Sequence, residues 1–160
     1  MNYEVVELTE KIVAGCCART NNSSPDMTAV IGGVWQRLYS DGVYADIPYK
    51  TNEKALGIYT DYESNETGDY TVMAGCEVSR SDLKGNFEIR TIPSGRYAKF
   101  VVKGHMKKAV AEFWQELWKM KLDRSFICDF EEYQNGGIDD CEIHIYIGLR
   151  TDSVLEEKNT

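Results

Sequence analysis

Residues 141–149 hold the side chains with the most chemical promise. Cys141, Ile143, Ile145, Ile147 and Leu149 alternate as one apolar strand face, which turns Glu142, His144, Tyr146 and Gly148 to the other side. A carboxylate held among such side chains and away from water has its pKa raised, unless a cation arrives to meet it. That is the chemistry of a counter-charge for organic cations, or of a general acid–base group. On an earlier stretch, Thr71, Met73, Gly75 and Glu77 occupy the matching positions. There a neutral Thr71 stands for Glu142, and Gly75 leaves room opposite Tyr146. The plainer alternative is an ordinary solvated strand face.

Aromatic pairs come next. Trp35 with Tyr39, and Trp114 with Trp118, are spaced four apart in helical sequence, at the edge of a buried stripe. Such rings can be core rim, or walls able to stack on a flat or cationic ligand. Other groupings carry less. Cys141 and His144 fall on opposite strand faces and Cys128 adds little, so no metal set forms. Cys16-Cys17 reads as one buried and one half-exposed thiol, and His105 as a polar turn residue. Asp61, Glu63, Asp129, Glu131 and Glu132 resemble paired catalytic carboxylates but read as hairpin surface charge. There is no HExxH, Walker loop, GxGxxG or GxSxG. No cofactor is expected.

These residues need elements to position them. One helix begins after Pro25 with Asp26 as N-cap, repeats apolar residues at Val30, Val34 and Leu38, and ends at Ser40-Asp41-Gly42. Gly32-Gly33 weakens it by about 1 kcal/mol per glycine. A second carries Met106, Val110, Phe113, Leu117 and Met120 on its buried stripe. Strand alternation covers residues 3–8, 11–19, 55–62, 70–78, 87–92, 97–102, 126–133 and 141–149. Turns fall at Asn65-Glu66-Thr67-Gly68, Pro93-Ser94-Gly95 and Asn135-Gly136-Gly137.

The order strand-strand-helix-strand-strand therefore occurs twice. Val34-Trp35-Gln36-x-Leu38-Tyr39 parallels Phe113-Trp114-Gln115-x-Leu117-Trp118, an offset of 79 from Trp35 to Trp114. Tyr59-x-x-Tyr62 parallels Phe130-x-x-Tyr133, an offset of 71, and the extra chain falls at 42–54. The expectation is an α+β domain over residues 1–150, built of pseudo-repeats at about 1–79 and 86–150, with a cleft between the halves. Residues 151–160 read as a polar tail.

Whole-chain properties bound the partners. A 160-residue chain with 42% hydrophobic and 28% charged residues can build one packed core. Its net charge of -8 repels phosphate, which argues against direct nucleic-acid binding. Residues 1–10 lack a signal-peptide core, and no stretch approaches a membrane span. Five cysteines without CxxC spacing suit reduced thiols in a cytoplasmic protein.

Taken together, Val34-Trp35-Gln36-x-Leu38, Gly57-Ile58-Tyr59-Thr60-Asp61-Tyr62-Glu63, Tyr70-Thr71-Val72-Met73-Ala74-Gly75-Cys76-Glu77-Val78, Pro93-Ser94-Gly95-x-Tyr97-Ala98 and Glu142-Ile143-x-Ile145-Tyr146-Ile147 resemble the GyrI-like effector-binding superfamily. Within it the chain is most similar to the integron-cassette type of stand-alone effector-binding protein. The resemblance implies tandem strand-helix-strand-strand modules and a cleft for lipophilic, often cationic and aromatic compounds. It assigns the acid of that cleft to Glu142, and aromatic walls to Trp35, Tyr39 and Trp114. Tyr59, Thr71, Met73, Trp118, His144 and Tyr146 complete the expected lining. It implies a ligand receptor, or an accessory to a transcription regulator, with a regulator as possible protein partner. Two alternatives remain: a hydrolase of reactive xenobiotics using Glu142 and Tyr146, and a gyrase-inhibitor-like interaction module.

Overall fold

The computed structural model describes residues 1–135 and 137–150, so Gly136 and the expected polar tail lie outside the described residues. The elements in chain order are β1 (Glu4–Leu8), β2 (Lys11–Thr20), α1 (Met27–Tyr39), α2 (Val43–Asp46), β3 (Leu56–Thr60), β4 (Tyr70–Val78), β5 (Glu88–Ile92), β6 (Gly95–Gly104), α3 (Met106–Leu117), β7 (Arg124–Tyr133) and β8 (Cys141–Leu149). The expected strands and both main helices are present, with ends moved by at most three residues. The 42–54 insertion holds the short α2, and Lys50 bridges to Val78 beyond it. Asp26 occupies the expected N-cap position of α1, but its side chain makes no capping hydrogen bond.

All eight strands form one antiparallel sheet in the order β1-β6-β8-β7-β3-β4-β2-β5. Exchanging each element of the first half for its counterpart in the second reproduces this order reversed. A pseudo-twofold axis therefore passes between β3 and β7. Each repeat also gives its first strand to the other: β1 pairs with β6, and β5 pairs with β2.

Register corrects the hairpin alignment. The offset of 71 holds for β4 and β8, which begin at Tyr70 and Cys141. Gly75 pairs with Leu56 as its counterpart Tyr146 pairs with Phe130, so Gly57 corresponds to Glu131 and Tyr59 to Tyr133. The expected match of Tyr59 with Phe130 fails because an odd slip reverses the face.

Both main helices lie on one face of the sheet. Val34 and Leu38 of α1 pack over Ala14, Val72 and Ala74, while Phe113 and Leu117 of α3 pack over Phe100, Ile143 and Ile145. Burying each such side chain is worth about 1.5–3 kcal/mol. The opposite face has its own buried cluster, including Val13, Ile58, Met73, Phe130 and Tyr146. Val6 and Leu8 of one edge strand and Ile92 of the other join it, so the sheet curls around its own side chains. Between the two helices lie the central strands β3 and β7.

Candidate functional site

On β7, Asp129, Glu131 and Tyr133 point toward the helices, while Cys128 and Phe130 point away. Glu131 pairs directly with Gly57 across the axis. Its residue exposure is only 2%, and a Cβ at Gly57 would fall 2.9 Å from its Oε1. The space that admits the carboxylate is therefore the side chain that Gly57 lacks.

Three neutral donors hold that carboxylate. Tyr59 O–H and Trp114 Nε1–H each donate to Oε2 at 2.9 Å, and Tyr133 O–H donates to Oε1 at 2.9 Å. Among the described residues, no ion pair involves Glu131. Burial pushes its carboxyl above the ordinary value, while the three hydrogen bonds pull the other way. Burial also lifts both phenols well above 10, with the nearby Glu131 charge adding to it, so they remain donors.

The rings form two walls. Trp114 meets Tyr59 edge-on at 5.2 Å, and Trp35 meets Tyr133 edge-on at 5.4 Å. Trp35 stacks on Tyr39 at 6.3 Å with 13° between planes, and Tyr39 is half exposed at the rim. Trp35 and Trp114 are repeat counterparts, as are Tyr59 and Tyr133. One acid thus lies on the axis between two symmetric ring pairs.

A second carboxylate neighbours it. Asp129 is fully buried; it accepts from Tyr62 O–H at 2.5 Å, Gly148 N–H at 2.8 Å and Arg124 Nη2 at 2.8 Å. A ladder irregularity between Arg124 and Asp129, with Phe126 at a positive φ of 52°, folds β7 back so that the guanidinium reaches the acid. Arg124 then lies 4.3 Å over the Phe126 ring and 5.9 Å from the Trp114 ring.

The sequence-derived residues divide by face. Trp35, Tyr39, Tyr59 and Trp114 come together around Glu131, while Trp118 caps the C-terminal end of α3, half exposed. Glu142, His144, Tyr146, Thr71 and Met73 lie on the sheet face away from the helices. The Glu142 side chain is 40% exposed, bonded to His144 at 2.8 Å and 3.7 Å from Lys103. The hydrogen bond from His144, then the Lys103 charge, hold its carboxyl below the ordinary range. Tyr146 stacks on Phe130 at 4.6 Å. Four residues apart on a strand, Glu142 and Tyr146 are separated by roughly 13 Å and cannot act on one atom.

The cause of that displacement is simple. Alternation alone makes the apolar row of β8 core and its other face the cleft, whereas the helices, and the space between them, lie on the side of the apolar row. The alternation of polar and apolar residues along 128–133 makes Glu131 look like hairpin surface, yet it is buried. A strand buried on both faces produces the same alternation when its polar residues are internally satisfied. The usable signal was Gly57-x-Tyr59 against Glu131-x-Tyr133, a glycine opposed to an acid.

An open depression of about 690 Å³ lies at one end of the sheet, between Pro93–Tyr97 and Arg124–Cys128, with Arg124 in its lining. It does not include Glu131. All five cysteines are free, and among the described residues no group of three or more His, Cys, Asp or Glu could hold a metal ion. No helix of the described residues is long and apolar enough to cross a membrane.

Residues 4–149 match a family model described as integron-associated effector binding protein, Cass2. An integron cassette protein from the mobile metagenome of Vibrio cholerae, VCH_CASS2, is 28% identical with a TM-score of 0.76, covering 92% of this chain and 95% of that one. SAV2435, solved bound to tetraphenylphosphonium, is 22% identical with a TM-score of 0.78, covering 96% and 97%. EcmrR, solved with DNA in a complex designated RPo, is 16% identical with a TM-score of 0.58, covering 93% of this chain and 58% of that one. No curated protein matches.

Proposed function

Because the chain belongs to the integron-associated effector binding family, we propose that it binds a lipophilic organic cation between α1 and α3, with Glu131 as counter-charge. The observation that carries this reading is a buried carboxylate whose partners are all neutral ring donors. Such a group is electrostatically unfinished, and a desolvated cation completes it. Trp35, Tyr59, Trp114 and Tyr133 supply stacking area, where a desolvated cation–π contact reaches about 2 kcal/mol. The ring donors and burial close the acid off from solvent, so a ligand enters by turning one wall aside. SAV2435, a protein of this fold, is solved with a bulky aryl cation, which supports the ligand class.

The regulatory part of the reading follows from the same fold in EcmrR, which is solved on DNA. Occupancy of the cleft is the signal, and a transcription regulator is its recipient. The test is calorimetric titration at pH 8 with tetraphenylphosphonium and with neutral triphenylphosphine oxide. Glu131→Gln should weaken the cation at least tenfold and leave the neutral compound within twofold. Equal loss of both would remove the counter-charge role. Mass spectrometry of the recovered cation should show it unchanged.

A further inference from the structure

The helix-facing side of β7 carries two buried carboxylates, yet only one is left to a ligand. Asp129 and Glu131 are two residues apart on one strand, roughly 7 Å. Asp129 is matched by the Arg124 guanidinium at 2.8 Å, within a network that Tyr62 and the Gly148 amide complete. Glu131 has no such cation among the described residues. Arg124 is itself nearly enclosed: its side chain is 11% exposed, and its Nε–H is buried without a hydrogen-bond partner among the described residues. The Asp129 charge and the faces of Phe126 and Trp114 therefore hold it in place.

We infer that Arg124 is a specificity-determining residue: by neutralising Asp129 it leaves a single negative charge between the helices, so the cleft selects monocations over dications. This rests on the receptor reading given above. A second positive charge on a ligand meets no free acid, and where it approaches Asp129 it meets the guanidinium first. Unit charges about 7 Å apart at an effective dielectric near 20 change affinity by roughly fiftyfold, so the discrimination is large enough to measure. Trp114 ties the two acids together, donating to Glu131 while lying 5.9 Å from Arg124.

Two flat two-ring probes of similar outline separate the cases: 1-methyl-4-phenylpyridinium with one charge, and 1,1′-dimethyl-4,4′-bipyridinium with two. Titrated calorimetrically at pH 8.5, the unaltered chain should favour the monocation by about tenfold or more. Arg124→Met exposes Asp129 and should erase or reverse that preference. Arg124→Lys, which keeps the charge, and the double variant Arg124→Met with Asp129→Asn, which removes both members of the pair, should retain it. Asp129→Asn alone leaves Arg124 uncompensated beside Glu131 and should weaken both probes, the dication most.

An unchanged ratio in Arg124→Met, with Glu131→Gln still weakening the monocation, overturns this inference and spares the receptor reading. Should circular dichroism show Arg124→Met unfolded, Asp129→Asn decides: undiminished monocation affinity overturns the inference. Failure of the unaltered chain to bind either probe or tetraphenylphosphonium overturns both.

Discussion

Gly57 and Glu131 are repeat counterparts that face each other directly across the β3–β7 ladder, and the missing side chain of the first makes room for the carboxylate of the second. A Cβ at Gly57 would also lie 3.1 Å from the Trp35 ring. Gly57→Ala should therefore cost about 1–3 kcal/mol through overpacking, and should displace either the acid or the indole. Denaturant midpoints measure the first effect, and tetraphenylphosphonium affinity the second. A variant as stable and as tight-binding as the parent would remove Gly57 from the site.

Burial lifts the Glu131 carboxyl above its ordinary 4.5. Between 4.5 and that raised value the folded chain holds a proton that the unfolded chain has released. This contribution to stability is therefore complete below 4.5 and declines as pH rises through the window. Subtracting the stability curve of Glu131→Gln from that of the parent should isolate a falling limb above pH 4.5. A flat difference would mean that the three hydrogen bonds offset burial in full, so that the carboxyl titrates as it does in the unfolded chain.

The two tryptophans should separate in their effects, although they are repeat counterparts. Trp114 donates to Glu131, whereas Trp35 only packs near it. Trp114→Phe removes a hydrogen bond to the charged form and should raise the carboxyl pKa further; Trp35→Phe should leave it in place. Carbon-13 titration of the glutamate carboxyl reads the difference. Tyr133→Phe, which removes the donor to Oε1, should act as Trp114→Phe does.

Glu142 supplies the contrast. Its side chain is 40% exposed on the other sheet face. Glu142→Gln should change stability by no more than about 0.5 kcal/mol and leave cation affinity unaltered. A tenfold loss of affinity would return the site to β8.

Fold and site differed in how far the residues disclosed them. Alternation at 70–78 and 141–149 gives β4 and β8 to the residue, because each has one face against a helix and the pattern is strong. The helix aromatics were legible for the same reason: Trp35 and Trp114 recur at one position of one motif. The acid was not. Which face of a strand meets a helix depends on how eight strands assemble, and no local pattern in β8 carries that information. Along β7, Asp129 and Glu131 imitate surface residues because their partners Arg124, Tyr59, Tyr62 and Trp114 are distant in sequence or folded back by an irregular turn. The hairpin slip of three residues, from an offset of 71 to one of 74, hid the correspondence of Gly57 with Glu131.

The swap of first strands means that each repeat finds the partner of its first strand only in the other; the symmetric equivalent of this fold is an identical pair of half-length chains. In such a pair, whatever residue occupied this ladder position would confront its own copy. Two glutamates there would repel across a few ångströms, and two glycines would leave no charge at all. Because both halves belong to one polypeptide, they can differ at this ladder position, and a lone anion occupies a location that strict symmetry forbids.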